Sequence, residues 1–150
     1  MNENNRISEL KSLLQPGGRI LVMDGAMGTA IQGKDLGPVD FGGPEYEGCN
    51  EYLIITRPDV ISDIHQSYLD SGADIIETNT FGATSVVLAE YDLSHEASRI
   101  NIEAALLARK VADQSSQQNK PRFVAGSMGP TTKTISVTGG ITFDELAPAY

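Results

Sequence analysis

Three times in this chain a short apolar run gives out into small polar residues and glycine, and a helical stretch separates each run from the next. The junctions read MDGAMGT at 23–29, ETNTFGA at 77–83 and GSMGPTT at 126–132. Strands that alternate with helices rejoin through crossovers and form a parallel sheet. In such sheets the C-terminal strand ends gather on one face, and ligands bind there. Asp24, Glu77 to Thr80 and Ser127 to Thr131 are therefore expected around a common site.

The spacing between the junctions supplies the helices. Ile7, Leu10, Leu13 and Leu14 fall at helical intervals, and Pro16-Gly17-Gly18 stops that leading helix within residues 1–18. Ile20 to Met23 reads as a continuously apolar strand of the kind buried on both faces. Residues 33–50 are glycine-rich, carry Pro38 and Pro44, and read as a long loop. In 56–72, Pro58 suits a first turn, Val60, Ile61, Ile64, Tyr68 and Leu69 line one face, and Gly72 sits at the C-terminal cap. A second strand is predicted from Asp74 to about Thr78, a short helix over 84–93, and a longer one over 94–114 with Ser94 as N-cap. A polar linker at 115–121 leads to a third strand within 122–131. Thr142 and Glu145 have capping-box spacing, so another helix is expected near Phe143. This is an α/β chain of about three β/α units, and residues 1–150 read as the N-terminal part of a domain still incomplete at Tyr150.

Charge narrows the partners. Twenty acids face eleven bases, a net charge of −9, and no basic stripe is present to meet nucleic-acid phosphates. The polar start lacks the apolar core of a signal peptide, and no apolar run approaches the ~20 residues of a membrane helix. A single cysteine, Cys49, suits a reducing cytoplasm. The reading is a cytoplasmic protein with neither a nucleic-acid nor a membrane partner.

The turns decide the ligand class. A phosphate loop needs a longer glycine spacing and a lysine, whereas Gly25 and Gly28 have no lysine after them and Asp24 would repel an anion. A carboxylate beside backbone N–H groups instead suits a zwitterion, with Asp24 on an ammonium and the turn amides on a carboxylate. Asp-Gly also forms turns unaided, and Asn79 can bond its own backbone, so a structural role stays open at both places. His65 lies inside a helix without a ligand partner and reads as a packing or surface residue. His95 has no special role, Cys49 has no second cysteine near it, and Glu45, Glu47 and Glu51 read as a solvated loop.

With those residues in view, the chain resembles the homocysteine S-methyltransferase family, and within it the N-terminal homocysteine-binding module of cobalamin-dependent methionine synthases. The matching stretches are DGAMGT at 24–29, ITRPDVISDIHQSYLDSGADIIETNTFGAT at 55–84 and GSMGPT at 126–131. The resemblance implies the N-terminal portion of a (β/α)8 TIM barrel that binds L-homocysteine and a zinc ion held by three cysteine thiolates from later strands. Zinc ligation would keep the substrate sulfur a thiolate, which accepts a methyl group. In methionine synthases the methyl arrives on cobalamin, reloaded by methyltetrahydrofolate on the remaining modules of that enzyme. Carried over, Asp24 would hold the ammonium, while Gly25, Ala26, Met27, Gly28, Thr29, Thr78 and Asn79 cradle the carboxylate and backbone. Glu77 and Ser127 are expected at the same site. The zinc cysteines have no counterpart here, and Cys49 matches none of them. The chain by itself is expected not to be catalytic. The alternative is a truncated half-barrel that binds, or self-associates through an exposed sheet edge.

Overall fold

The computed structural model describes residues 3–135 and 140–150, and among them no helix is long and apolar enough to cross a membrane. The leading helix α1 (Glu3–Leu13) ends before the Pro-Gly-Gly stretch, with Gly17 at φ +89°. It is followed by α2 (Met27–Gln32), α3 (Leu53–Thr56), α4 (Pro58–Asp70) and strand β1 (Ile75–Glu77). Then come α5 (Ser85–Leu88), α6 (Ala97–Ser115), strand β2 (Phe123–Ala125) and α7 (Phe143–Leu146).

α4 forms as its sequence dictates. Pro58 occupies the first turn, where its missing N–H costs nothing. At the other end Gly72, at φ +111°, lets the chain turn left-handed. The Ala73 N–H then bonds the Tyr68 carbonyl at 3.0 Å and the Gly72 N–H bonds that of Leu69 at 3.1 Å, a complete Schellman cap. Val60, Ile61, Ile64 and Leu69 are buried as expected, and Tyr68 is half-buried. His65 is buried too, so it is a packing residue. Ala104, Ala108 and Ala112 form a small-residue stripe on α6, all fully buried, which lets the two helices approach closely. Together they cover Ile76 of β1. Each aliphatic side chain buried there contributes about 1.5–3 kcal/mol relative to exposure.

β1 and β2 pair in parallel, with Ile75 opposite Phe123, Ile76 opposite Val124 and Glu77 opposite Ala125. The expected first strand is the main departure. Residues 20–23 run beside β1, but only Met23 makes a bridge, to Ile75. Ile20 is 89% exposed, and Val22 and Met23 are also exposed, so the run is not buried on both faces. Nothing among the described residues covers its outer side, and three backbone-to-backbone hydrogen bonds hold it to Asp74 and β1. The Asp74 and Ile75 N–H groups reach the Val22 carbonyl at 2.7 and 3.2 Å, and the Asp24 N–H reaches Ile75 O at 2.9 Å.

Two smaller expectations change. Ser94 does not cap the long helix. Its hydroxyl donates to the Ser85 carbonyl at 2.9 Å, and α6 begins instead through a 3-10 turn at Ser94–Glu96. The 33–50 loop is structured by turns and anchored by buried Phe41 and Cys49. The expected capping box is present, with Thr142 and Glu145 bonding each other's backbone N–H.

The N-terminal ends of the strands are closed by charge. Asp74, buried just before β1, accepts from Arg19 at 2.7 Å and from the Val22 N–H at 3.0 Å. Burial pushes its pKa up, but these two partners outweigh that and hold it below the usual carboxylate value. Arg122, buried just before β2, donates to the Leu69, Gly72 and Ala73 carbonyls at the end of α4.

Candidate functional site

The opposite ends of the strands open into a cleft of about 670 Å³. Of the ten residues assigned to substrate binding, nine line it: Asp24, Gly25, Ala26, Met27, Gly28, Glu77, Thr78, Asn79 and Ser127, whereas Thr80 and Met128 to Thr131, also expected around the common site, do not. Thr29 does not; it is exposed on α2. Met23, Asn50, Glu51 and Phe81 complete the wall.

Asp24 sits at the end of the 20–23 run, half-buried. The Glu77 N–H is shared by its two carboxylate oxygens at 3.1 Å each. One N–H between two oxygens leaves much of the acceptor capacity of an ionised carboxylate unused. Burial is the largest influence on its proton and pushes the pKa up to about 6, the Glu77 charge adding to this and the Glu77 N–H opposing it. A cation placed beside Asp24 would reverse that shift.

The Gly25–Gly28 turn gains from small size rather than from unusual backbone. Neither glycine has a positive φ. A Cβ on Gly25 would lie 3.4 Å from the Tyr68 ring and hydroxyl, and one on Gly28 would point toward the Asn50 amide at 4.0 Å. α2 starts within it, at Met27, with no side-chain cap at Ala26, so its first N–H groups have no intrahelical acceptor. Uncapped amides and an under-satisfied carboxylate thus lie within one turn of each other.

The polar cluster after β1 is largely occupied by structure. Thr78 and Thr80 hydroxyls lie 2.7 Å apart. Thr78 Oγ1 accepts from the Ser127 N–H at 3.0 Å, and Thr80 Oγ1 donates to the Ser127 carbonyl at 2.8 Å. Both threonines are buried, and they join the β1 and β2 ends. Asn79 does not bond its own backbone; its Nδ2 donates to the Asn50 carbonyl at 2.8 Å. Glu77 is exposed, and its contribution to Asp24 comes through its main-chain N–H.

Glu51 departs from the solvated-loop expectation. Its Oε1 accepts from the Gly82 N–H at 2.8 Å, and it lines the cleft beside Asn50. Spacing could not reveal this, because residues 50 and 51 reach the cleft through a turn that follows an irregular loop. Glu45 and Glu47 are exposed, as expected.

Among the described residues no three His, Cys, Asp or Glu side chains are grouped to hold an ion. Cys49 is buried against Leu88, Leu93 and Ile100, and burial pushes its thiol up to about 11. His65 is enclosed in the core and His95 is exposed on the surface.

Comparison with known proteins gives the family. The family model described as homocysteine S-methyltransferase matches residues 21–150. Among solved structures, the metallated form of the homocysteine methyltransferase MmuM from Escherichia coli is similar at 25% identity and a TM-score of 0.64, over 81% of this chain and 41% of that one. Its oxidized form is similar at 26% identity and a TM-score of 0.61, over 74% and 37%. This chain therefore spans about two fifths of the length of those structures.

Proposed function

This chain belongs to the homocysteine S-methyltransferase family, and from that premise we propose that it forms the amino-acid end of a site where L-homocysteine is held for methylation at sulfur. The observation that carries the reading is Asp24: a half-buried carboxylate with one shared N–H partner, beside the uncapped amides that open α2. Asp24 takes the ammonium. The amides around Ala26 to Gly28 take the carboxylate, and Thr78, Asn79 and Ser127 hold the β1 and β2 ends in place around them. The substrate side chain then extends toward Met23 and Phe81, the apolar part of the wall.

The fold that fits this reading is the N-terminal portion of a (β/α)8 barrel, with the 20–23 run, β1 and β2 as its first three strands. The zinc that the family resemblance assigns to three cysteines does not fit the residues present, so this chain contributes binding and orientation rather than sulfur activation. Methylcobalamin with methyltetrahydrofolate is the proposed methyl source, on the remaining modules of a methionine synthase.

A second reading, a unit that binds or self-associates without catalysis, is favoured by the apolar surface at Ile102, Leu106 and Val124 beside the open edge of β2. Light scattering across a concentration series tests it, and a monomer throughout removes self-association. The main reading is tested by calorimetric titration of L-homocysteine into this chain, with and without zinc, against L-homoserine. Binding of both ligands without zinc is expected, because the sulfur is not what this half of the site grips. Absence of binding by either ligand would refute a preformed amino-acid site.

A further inference from the structure

We infer that Glu51 is a positioning residue that sets the apolar wall of the cleft and so helps to choose the side chain it accepts; this rests on the amino-acid reading of the site. Asn50 and Glu51 begin a 3-10 turn, Asn50–Tyr52, that runs directly into α3, where Leu53 and Ile54 are buried in the core. The turn is therefore a firm base, and it grips the loop after β1 at two points. The Asn50 carbonyl receives Asn79 Nδ2 and Glu51 Oε1 receives the Gly82 N–H, both at 2.8 Å. The contact with Gly82 is close: a Cβ there would lie 2.9 Å from Glu51 Oε1 and 3.2 Å from its Cδ.

Phe81 stands between the two grips. Its side chain is 60% exposed and lines the cleft. On its far side the Gly129 N–H donates to the Phe81 carbonyl at 2.9 Å. A Cβ on Gly129 would come within 2.5 Å of that carbonyl and 2.8 Å of the ring. An aromatic ring this exposed does not hold its place by burial. It is held through its own backbone, by Glu51 on one side and Gly129 on the other. Removing the carboxylate frees the Gly82 amide and with it the ring, while leaving Asp24 and the α2 amides untouched.

The test is two-dimensional NMR of the isotopically labelled full chain, for wild type, Glu51→Ala and Glu51→Gln. Without ligand, Glu51→Ala is expected to shift the Gly82 amide and the Phe81 and Gly129 signals, and Glu51→Gln, which keeps an acceptor oxygen, to restore them largely. L-Homocysteine and L-alanine are then titrated; both carry the ammonium and carboxylate, but only one has the long side chain. Glu51→Ala is expected to lower the preference for homocysteine over alanine about tenfold, with alanine affinity unchanged within twofold and the preference recovered in Glu51→Gln. Unmoved Phe81 and Gly129 signals in Glu51→Ala overturn the positioning role, whatever the ligands do. Moved signals with an unchanged preference overturn the role in selection. Should wild type bind neither amino acid, the amino-acid reading fails and the selective role falls with it, while the ligand-free shifts still decide whether Glu51 positions the ring.

Discussion

Replacing Asp24 by Asn separates the two demands placed on that residue. In the folded chain its pKa is raised from 3.8 to about 6, chiefly by burial. The folded state therefore binds the proton more tightly than the unfolded state. The stability this contributes is present below about pH 4 and is lost as pH rises toward 6. At neutral pH the ionised carboxylate is a net cost to folding. A shift of about two units corresponds at most to ~3 kcal/mol. Asp24 is only half-buried, and solvent screening brings the expected figure down to about 1 kcal/mol. Asn keeps an oxygen for the Glu77 N–H and carries no charge. Asp24→Asn is thus expected to stabilise the chain by about 1 kcal/mol at pH 7.5 and to change nothing at pH 3.5, read by urea unfolding followed by circular dichroism. The same substitution removes the counter-charge for an ammonium, a loss of about 1.5–3 kcal/mol, or roughly ten- to hundredfold in homocysteine affinity. A gain in stability with a loss in binding marks a site held under strain for its ligand. A variant destabilised equally at both pH values would show that the ionised carboxylate is not a cost to folding, and would refute the reasoning.

His65 offers the opposite pH dependence. It is fully buried, neither ring nitrogen has a hydrogen-bond partner among the described residues, and burial lowers its pKa from 6.5 to about 4. Stability should fall as pH drops from 6.5 toward 4, by up to ~3 kcal/mol, and His65→Leu should flatten that limb of a urea-midpoint series. Cys49, with its thiol pushed up to about 11 and its side chain enclosed, should react with an aromatic disulfide reagent at pH 8 only as fast as the chain unfolds. Rapid labelling in native buffer would contradict the burial. Gly72→Ala forces a Cβ into a backbone at φ +111° and should cost about 1–2 kcal/mol in urea unfolding. A neutral result would mean that the end of α4 rearranges without its Schellman cap.

Local chemistry made some of these features legible and geometry hid others. α4 could be placed because Pro58, the apolar stripe and Gly72 agree, each acting within its own few residues. The Thr142–Glu145 box was legible for the same reason. Ile20 to Met23 has the composition of a buried strand, but burial depends on what lies beyond its outer edge, and no property of the run itself encodes that. Ser94 stands where an N-cap belongs, yet the Ser85 carbonyl nine residues earlier competes for its hydroxyl. Of the cleft lining, most of the first two junctions could be placed because each follows an extended run. Glu51 could not, because its partner Gly82 is thirty-one residues away and the intervening chain is partly irregular.

The two ends of the sheet are built differently. At the N-terminal ends, buried Asp74 finds a guanidinium and an N–H, and Arg122 finds the carbonyls of a helix terminus. At the C-terminal ends the hydroxyls of Thr78 and Thr80 close on Ser127, and Asn79 and Gly82 close on residues 50 and 51. Asp24 itself shares the Glu77 N–H between both carboxylate oxygens. A mobile rim could swing a donor onto it and relieve its raised pKa. Loosening the rim should therefore lower the Asp24 pKa. Thr80→Val removes the hydroxyl that joins Thr78 to Ser127 at similar volume. Carbonyl NMR should find Asp24 titrating below 6 in that variant, closer to an ordinary carboxylate. If it still titrates near 6 while the Ser127 signals move, its desolvation comes from the cleft floor alone and the rim plays no part in holding it ready for a cation.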